Sequence, residues 1–188
     1  MAKAALPWAS TLALFLWWLL AADSRALPSP TEVLAALHEL NAEGILWPSI
    51  GISLGRVAAG LALGLLVAVP LGLISGTSAL GLALVDKPIH MLRAIPFPAL
   101  APLLIVWLGI DEAMKIVLIA VGVFGLIYVN LRDAIRALDP RLIELSKAYR
   151  LTRRTLVCRI ILPGALPGFM TGLRFASTVA WIALVTCE

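Results

Sequence analysis

The stretch from Val57 to Val85 reads VAAGLALGLLVAVPLGLISGTSALGLALV and carries no charged residue. A helix needs about 20 apolar residues to cross roughly 30 Å of hydrocarbon, so this run is longer than one span requires. Within it and just before it, glycines recur four apart: Gly51 and Gly55, Gly60 and Gly64, Gly72 and Gly76. Small residues at that spacing let helices approach closely in lipid, where van der Waals packing drives association. The run is therefore expected to form a helix central to a bundle, kinked at Pro70.

Working outward, the whole chain shares this character. Of its 188 residues 61% are hydrophobic and only 14% are charged, with a mean hydropathy of +1.00. A water-soluble domain carries about 25% charged residues, so the bilayer must act as solvent for much of this surface. Further uncharged runs cover Ala4–Ala22, Leu103–Ile110 and Ile116–Leu131, and a last one follows Pro167 to Thr186, interrupted by Arg174. The expected fold is all-α, a polytopic transmembrane helix bundle with five spans. The first run competes with a secretory signal ending near Ser24-Arg25-Ala26; Trp8, Trp17, Trp18 and its length favour a retained anchor.

Charge distribution sets the orientation. Between Arg132 and Arg159 lie Arg132, Arg136, Arg141, Lys147, Arg150, Arg153, Arg154 and Arg159 against Asp133, Asp139 and Glu144. From Asp23 to Glu43 the acidic residues Asp23, Glu32, Glu39 and Glu43 oppose Arg25 alone. Basic loops stay in the cytoplasm, which places the 132–159 stretch there, and Lys3 before the first run with Asp23 after it places the N-terminus on the same side. The net charge of +4 points to this topology and not to nucleic acid, because no stacking platform or groove-reading motif accompanies it. Cys158 and Cys187 show no metal spacing and read as small apolar fillers.

Three smaller features stand out. Leu27-Pro28-Ser29-Pro30-Thr31-Glu32 leads into an amphipathic helix (Val33, Leu34, Leu37, Leu40) capped by Ser29 or Thr31 and lying on the outer surface, with His38 solvated. Pro96, Pro98 and Pro102 enter a span, and a broken backbone ladder is tolerated there only against protein or a wet cavity. They mark a pathway-lining element or a simple kink. Arg56, Arg93 and Arg174 lie near span ends and are expected to snorkel to headgroups.

Asp139-Pro140 is a strong helix start, with Asp as N-cap and Pro in the first turn. Leu142, Leu145 and Tyr149 then share one face. The helix should break around Arg150 and Leu151, with Thr152 capping a second helix of about ten residues that ends before Pro163. The reading is a basic helix–turn–helix protrusion, either a docking element or a pair of helices on the membrane surface.

The order Glu144-Leu145-Ser146-Lys147-Ala148-Tyr149-Arg150-Leu151, followed by Ile160-Ile161-Leu162-Pro163-Gly164, resembles the "EAA" loop of permease subunits of bacterial ABC importers. The likeness extends through Leu27-Pro28-Ser29-Pro30, Ser53-Leu54-Gly55-Arg56, Leu92-Arg93-Ala94-Ile95-Pro96, Trp107-Leu108-Gly109-Ile110-Asp111-Glu112, Ile127-Tyr128-Val129-Asn130 and Leu162-Pro163-Gly164-Ala165-Leu166-Pro167. These look like the branch importing aliphatic sulfonates, taurine or nitrate, with sulfonate permeases nearest.

The resemblance implies one transmembrane permease domain over 1–188, carrying a cytoplasmic coupling loop at 132–163. It implies a homodimer, a separate ATP-binding subunit and an extracytoplasmic substrate-binding protein as partners, with no cofactor on this chain and no hydrolysis by it. Glu144, Lys147, Ala148, Tyr149, Arg150 and Leu151 would form the ATPase-docking surface. The pattern departs at Leu145-Ser146, where the family has Ala-Ala, and at Arg150, where it has a turn glycine. Members also continue beyond the position of Glu188, so the chain reads as C-terminally truncated; a non-transporting remnant or scaffold is the alternative.

Overall fold

The computed structural model describes residues 11–18 and 28–187. The described residues form helices and turns without a strand. They fall into two compact units, Met1–Ile52 and Ser53–Glu188.

In the first unit residues 11–18 are helical and Trp18 donates its indole N–H to the Pro28 carbonyl at 3.1 Å. Helix α1, Pro30–Ala42, starts on a full capping box. The Ser29 hydroxyl accepts from the Glu32 N–H, and the Glu32 carboxylate accepts from the Ser29 N–H. Of the two expected caps, Ser29 is the one used. No residue of α1 is buried, and Val33, Leu34, Leu37, Leu40 and His38 are exposed. The expected first span, Ala4–Ala22, lies largely outside the described residues.

Helix α2, Leu46–Thr77, runs for 32 residues and continues through Pro70. Helices α3 (Ala79–Ala94) and α4 (Phe97–Leu108) meet at an 86° bend. Helix α5, Glu112–Arg136, is followed by α6 (Pro140–Ala148), α7 (Arg153–Leu156) and α8 (Leu162–Cys187). Three helices are long and apolar enough to cross a membrane, or four if the bent pair counts as one span. Five spans are not seen among the described residues.

Helix α5 is the axis of the second unit. Ile119, Val123, Ile127 and Tyr128 are fully buried and form one cluster with Ala68 of α2 and Ala176, Ala180 and Ala183 of α8. Glycines set how closely the neighbours approach. A Cβ on Gly60, Gly64, Gly72 or Gly76 would meet Ile119, Val123, Leu131 or Ile135 at 3.1 Å or less. The offset between partners is 59 each time, so α2 and α5 run parallel. On α8, Gly164, Gly168 and Gly172 face Leu138, Ala134 and Asn130 with a constant sum of 302, so α8 runs antiparallel. The sequence's four-residue glycine spacing thus marks a real seam from Gly60 onward, whereas Gly51 and Gly55 have nothing within 4 Å.

One expected helix end is absent. The arm starting at Arg153 does not stop before Pro163; a single helical path covers Arg154–Cys187. The π-helical segment Val157–Ile161 precedes Leu162-Pro163, and the Leu162 N–H reaches back to the Val157 carbonyl. Widening the ladder just before a residue that has no N–H lets the helix pass the proline. The same device recurs in α3, where the π segment Leu82–Asp86 precedes Lys87-Pro88. Cys158 is exposed on this arm and so is no core filler, while Cys187 is half-buried beside Leu104 and Met114.

Candidate functional site

The protrusion expected at 139–163 begins as its sequence dictates. The Asp139 carboxylate accepts from the Arg141 N–H at 2.9 Å and Pro140 opens α6. The helix ends in a Schellman turn: the Leu151 N–H bonds the Ser146 carbonyl at 2.9 Å and Arg150 sits between them at φ 48°. Arg150 has the left-handed conformation for which the related motif uses glycine. Thr152 then accepts from the Thr155 N–H at 3.2 Å and opens α7.

The inner side of this arrangement is anchored. Ile143 and Leu156 line a cavity of about 270 Å³ with Gly76, Thr77, Ile135 and Leu138. Ser146 is buried and donates to the Ile143 carbonyl at 2.6 Å. The outer side is bare: Leu142, Leu145, Tyr149 and Leu151 are exposed, Tyr149 at 73%. Glu144, Ala148 and Arg150 are exposed beside them. Five of the six residues expected to dock a partner therefore share the free side of one turn; the Lys147 side chain lies outside the description.

The expected pathway prolines separate. Pro96 sits at the α3–α4 bend and lines a cleft of about 260 Å³ with Leu92, Arg93, Phe97, Gly122 and Val179. Pro98 and Pro102 belong to the first turns of α4 and do not line it.

Two charged clusters pin the helices, and sequence reading missed both. Toward the C-terminal end of α5, Arg132 contacts Asp86 of α3 and bonds Asp133 at 2.7 Å. Tyr128 donates to the same Asp86 carboxylate at 3.1 Å and His90 stands 3.1 Å from Arg132. At the opposite end, Arg56 of α2 forms a two-pronged pair with Glu112. Arg56 thus finds a carboxylate partner where snorkelling was expected. Residues 46 and 56 positions apart carry no joint signal in one sequence. The only hint was an acidic residue beside a long apolar run.

Three or four helices long and apolar enough to cross a membrane, packed around α5, define a class: a multi-pass membrane protein. Comparison with known proteins narrows it. Residues 60–188 match the model of the binding-protein-dependent transport system inner membrane component, and the chain belongs to that family. It is 42% identical to the putative aliphatic sulfonates transport permease protein SsuC of Escherichia coli, over 97% of this chain and 71% of that protein. It is 35% identical to the SsuC protein of Bacillus subtilis, over 88% of this chain and 60% of that protein. The taurine transport system permease protein TauC of Escherichia coli is 31% identical, over 95% and 69% respectively. The chain thus spans between three fifths and three quarters of the length of these relatives.

Proposed function

We propose that this chain is the membrane subunit of an ABC importer that passes a small organic anion, foremost an aliphatic sulfonate, into the cell. It works beside a second copy of itself, an ATP-binding subunit at the 139–162 turn and an extracytoplasmic substrate-binding protein. The names of the SsuC and TauC relatives support the cargo class. The basic excess of the 132–159 stretch supports a cytoplasmic turn.

The observation that carries this reading is the bare strip Leu142, Leu145, Tyr149 and Leu151 on a turn whose other side is anchored. Apolar side chains held outside a bundle next to Arg and Glu suit a protein groove. Glu144, Lys147, Ala148, Tyr149, Arg150 and Leu151 are the contact set.

Force applied at the turn has two stiff outlets. Helix α5 ends only a few residues before α6, and α7 continues through the π segment into α8. From α5 the Arg132–Asp86 contact passes motion to α3, whose far end is the bend lining the cleft at Pro96. Alternating access follows when the two copies are drawn together.

Capture of the system's ATP-binding subunit by membranes containing this chain tests the reading. Glu144→Lys and Tyr149→Ala should each weaken capture about tenfold or more, the scale of a lost interface anchor of 1.4 kcal/mol or above. Capture unchanged in both variants contradicts it.

A further inference from the structure

We infer that Arg93 is an anion-binding residue inside the membrane portion of the pathway, taking the sulfonate or carboxylate head of the cargo while the adjoining apolar wall takes its alkyl part. The inference deepens the importer reading and rests on it for the cargo class.

Arg93 lies deep. Its stem crosses α5 at Gly125, where a Cβ would stand 2.6 Å from Cγ and 2.7 Å from Cδ. Gly125 is 13 residues from Glu112 and 11 from Arg136, so the crossing falls near the middle of a 25-residue span. Long basic side chains reach headgroups from positions near helix ends, whereas an ionisable group in mid-span marks a ligand or ion path. The end of α3 that bears Arg93 is the break at Ile95-Pro96, two helical turns beyond the Asp86–Arg132 contact.

Arg93 also lacks a counter-charge within the described chain. Among the described residues it has no hydrogen-bond or ion-pair partner, and no acidic residue lines its cleft. Arg132 and Arg56, by contrast, each meet a carboxylate. A guanidinium offers a planar fork of donors that matches an oxyanion bidentately. The broken backbone at 95–97 opens onto the same cleft, as discontinuous transmembrane helices do at substrate sites.

The walls suit the alkyl part of such an anion. Leu92, Phe97, Phe124, Leu126 and Val179 are apolar, and about 260 Å³ holds a short-chain sulfonate. Phe97 lies over Gly122, where a Cβ would stand 3.4 Å from the ring, so glycine at 122 and 125 keeps the cleft open to ring and stem alike.

The test titrates butanesulfonate into the purified full chain in detergent, reading the thermal midpoint, with butanol and sodium chloride as controls. Wild type should show saturable stabilisation by butanesulfonate alone. Arg93→Gln should weaken apparent affinity at least tenfold, and Arg93→Lys should keep part of it. Phe97→Ala should weaken butanesulfonate more than methanesulfonate. No saturable effect on wild type, or equal affinity in Arg93→Gln, overturns the site; should Arg93→Gln not fold, full affinity in Arg93→Lys together with an unchanged Phe97→Ala overturns it equally. Capture of the ATP-binding subunit is measured on the same preparations. Intact capture without anion binding removes this site alone, and intact anion binding without capture removes the docking reading alone.

Discussion

Arg56 and Glu112 clamp the parallel helices α2 and α5 together near one end of the bundle. Arg56 Nε lies 2.5 Å from Glu112 Oε2 and a terminal guanidinium nitrogen lies 2.5 Å from Oε1. Lys115 approaches the same carboxylate at 3.5 Å, so one acid serves two cations. Glu112→Gln leaves both cations facing each other and is expected to lower the thermal midpoint. The drop should shrink in molar salt, because Glu112 is exposed and the pair is screened. Exchanging the charges, Arg56→Glu with Glu112→Arg, should recover part of the loss.

The glycine seam gives a sharper expectation. On Gly64 a Cβ would meet Val123 Cγ2 at 2.4 Å and the Ala120 carbonyl at 3.1 Å. Gly64→Ala should therefore destabilise by about 1–3 kcal/mol through overpacking. Adding Val123→Ala should restore part of it. Gly55→Ala meets nothing within 4 Å and should be neutral, or stabilising by up to about 1 kcal/mol from helix propensity. Chemical denaturation in detergent distinguishes the three variants.

Two helix ends in this chain use the same turn with different residues. After α1 the left-handed position is Gly44 at φ 71°, with the Ile45 N–H on the Leu40 carbonyl. After α6 it is Arg150 at φ 48°, with the Leu151 N–H on the Ser146 carbonyl. A side chain in that region costs about 1 kcal/mol relative to glycine. Arg150→Gly should raise stability by that amount, and Arg150→Val should lower it. If Arg150 contacts the ATP-binding subunit, Arg150→Gly also weakens capture while the protein itself becomes more stable.

The Asp86 cluster should matter for both folding and coupling. Tyr128→Phe removes one hydrogen bond to Asp86 and should destabilise by about 1 kcal/mol. Asp86→Ala strips Arg132 and Tyr128 of a shared acceptor and should destabilise by about 2 kcal/mol. Because this contact joins α5 to α3, Asp86→Ala should leave capture of the ATP-binding subunit intact while uncoupling its hydrolysis from uptake.

Local chemistry was legible in the sequence. Ser29 or Thr31 announced an N-cap, and Ser29 supplies it; Asp139-Pro140 announced a helix start, and the break at Arg150 and Leu151 fell where the left-handed turn lies. The four-residue glycine period was read as close packing, and the helix it packs on was revealed only by the fold. What stayed hidden depends on partners distant in the chain or on compensation between neighbours. Pro163 announced a helix end that the preceding π segment removes. Pro96 announced a broken ladder, and the size of the bend, 86°, turned a simple span into a lined cleft. Arg56 and Arg93 read alike as span-end arginines; only the fold separates the paired one from the one lying over Gly125.

The most direct test of the account concerns the side of the membrane on which the 139–151 turn lies. Tyr149→Cys, in a chain also carrying Cys158→Ser and Cys187→Ser, is treated with a membrane-impermeant maleimide in intact spheroplasts and in inverted vesicles. A cytoplasmic docking turn requires labelling in inverted vesicles, suppressed when the ATP-binding subunit is added, and none from outside intact cells. Labelling from the outer face contradicts it.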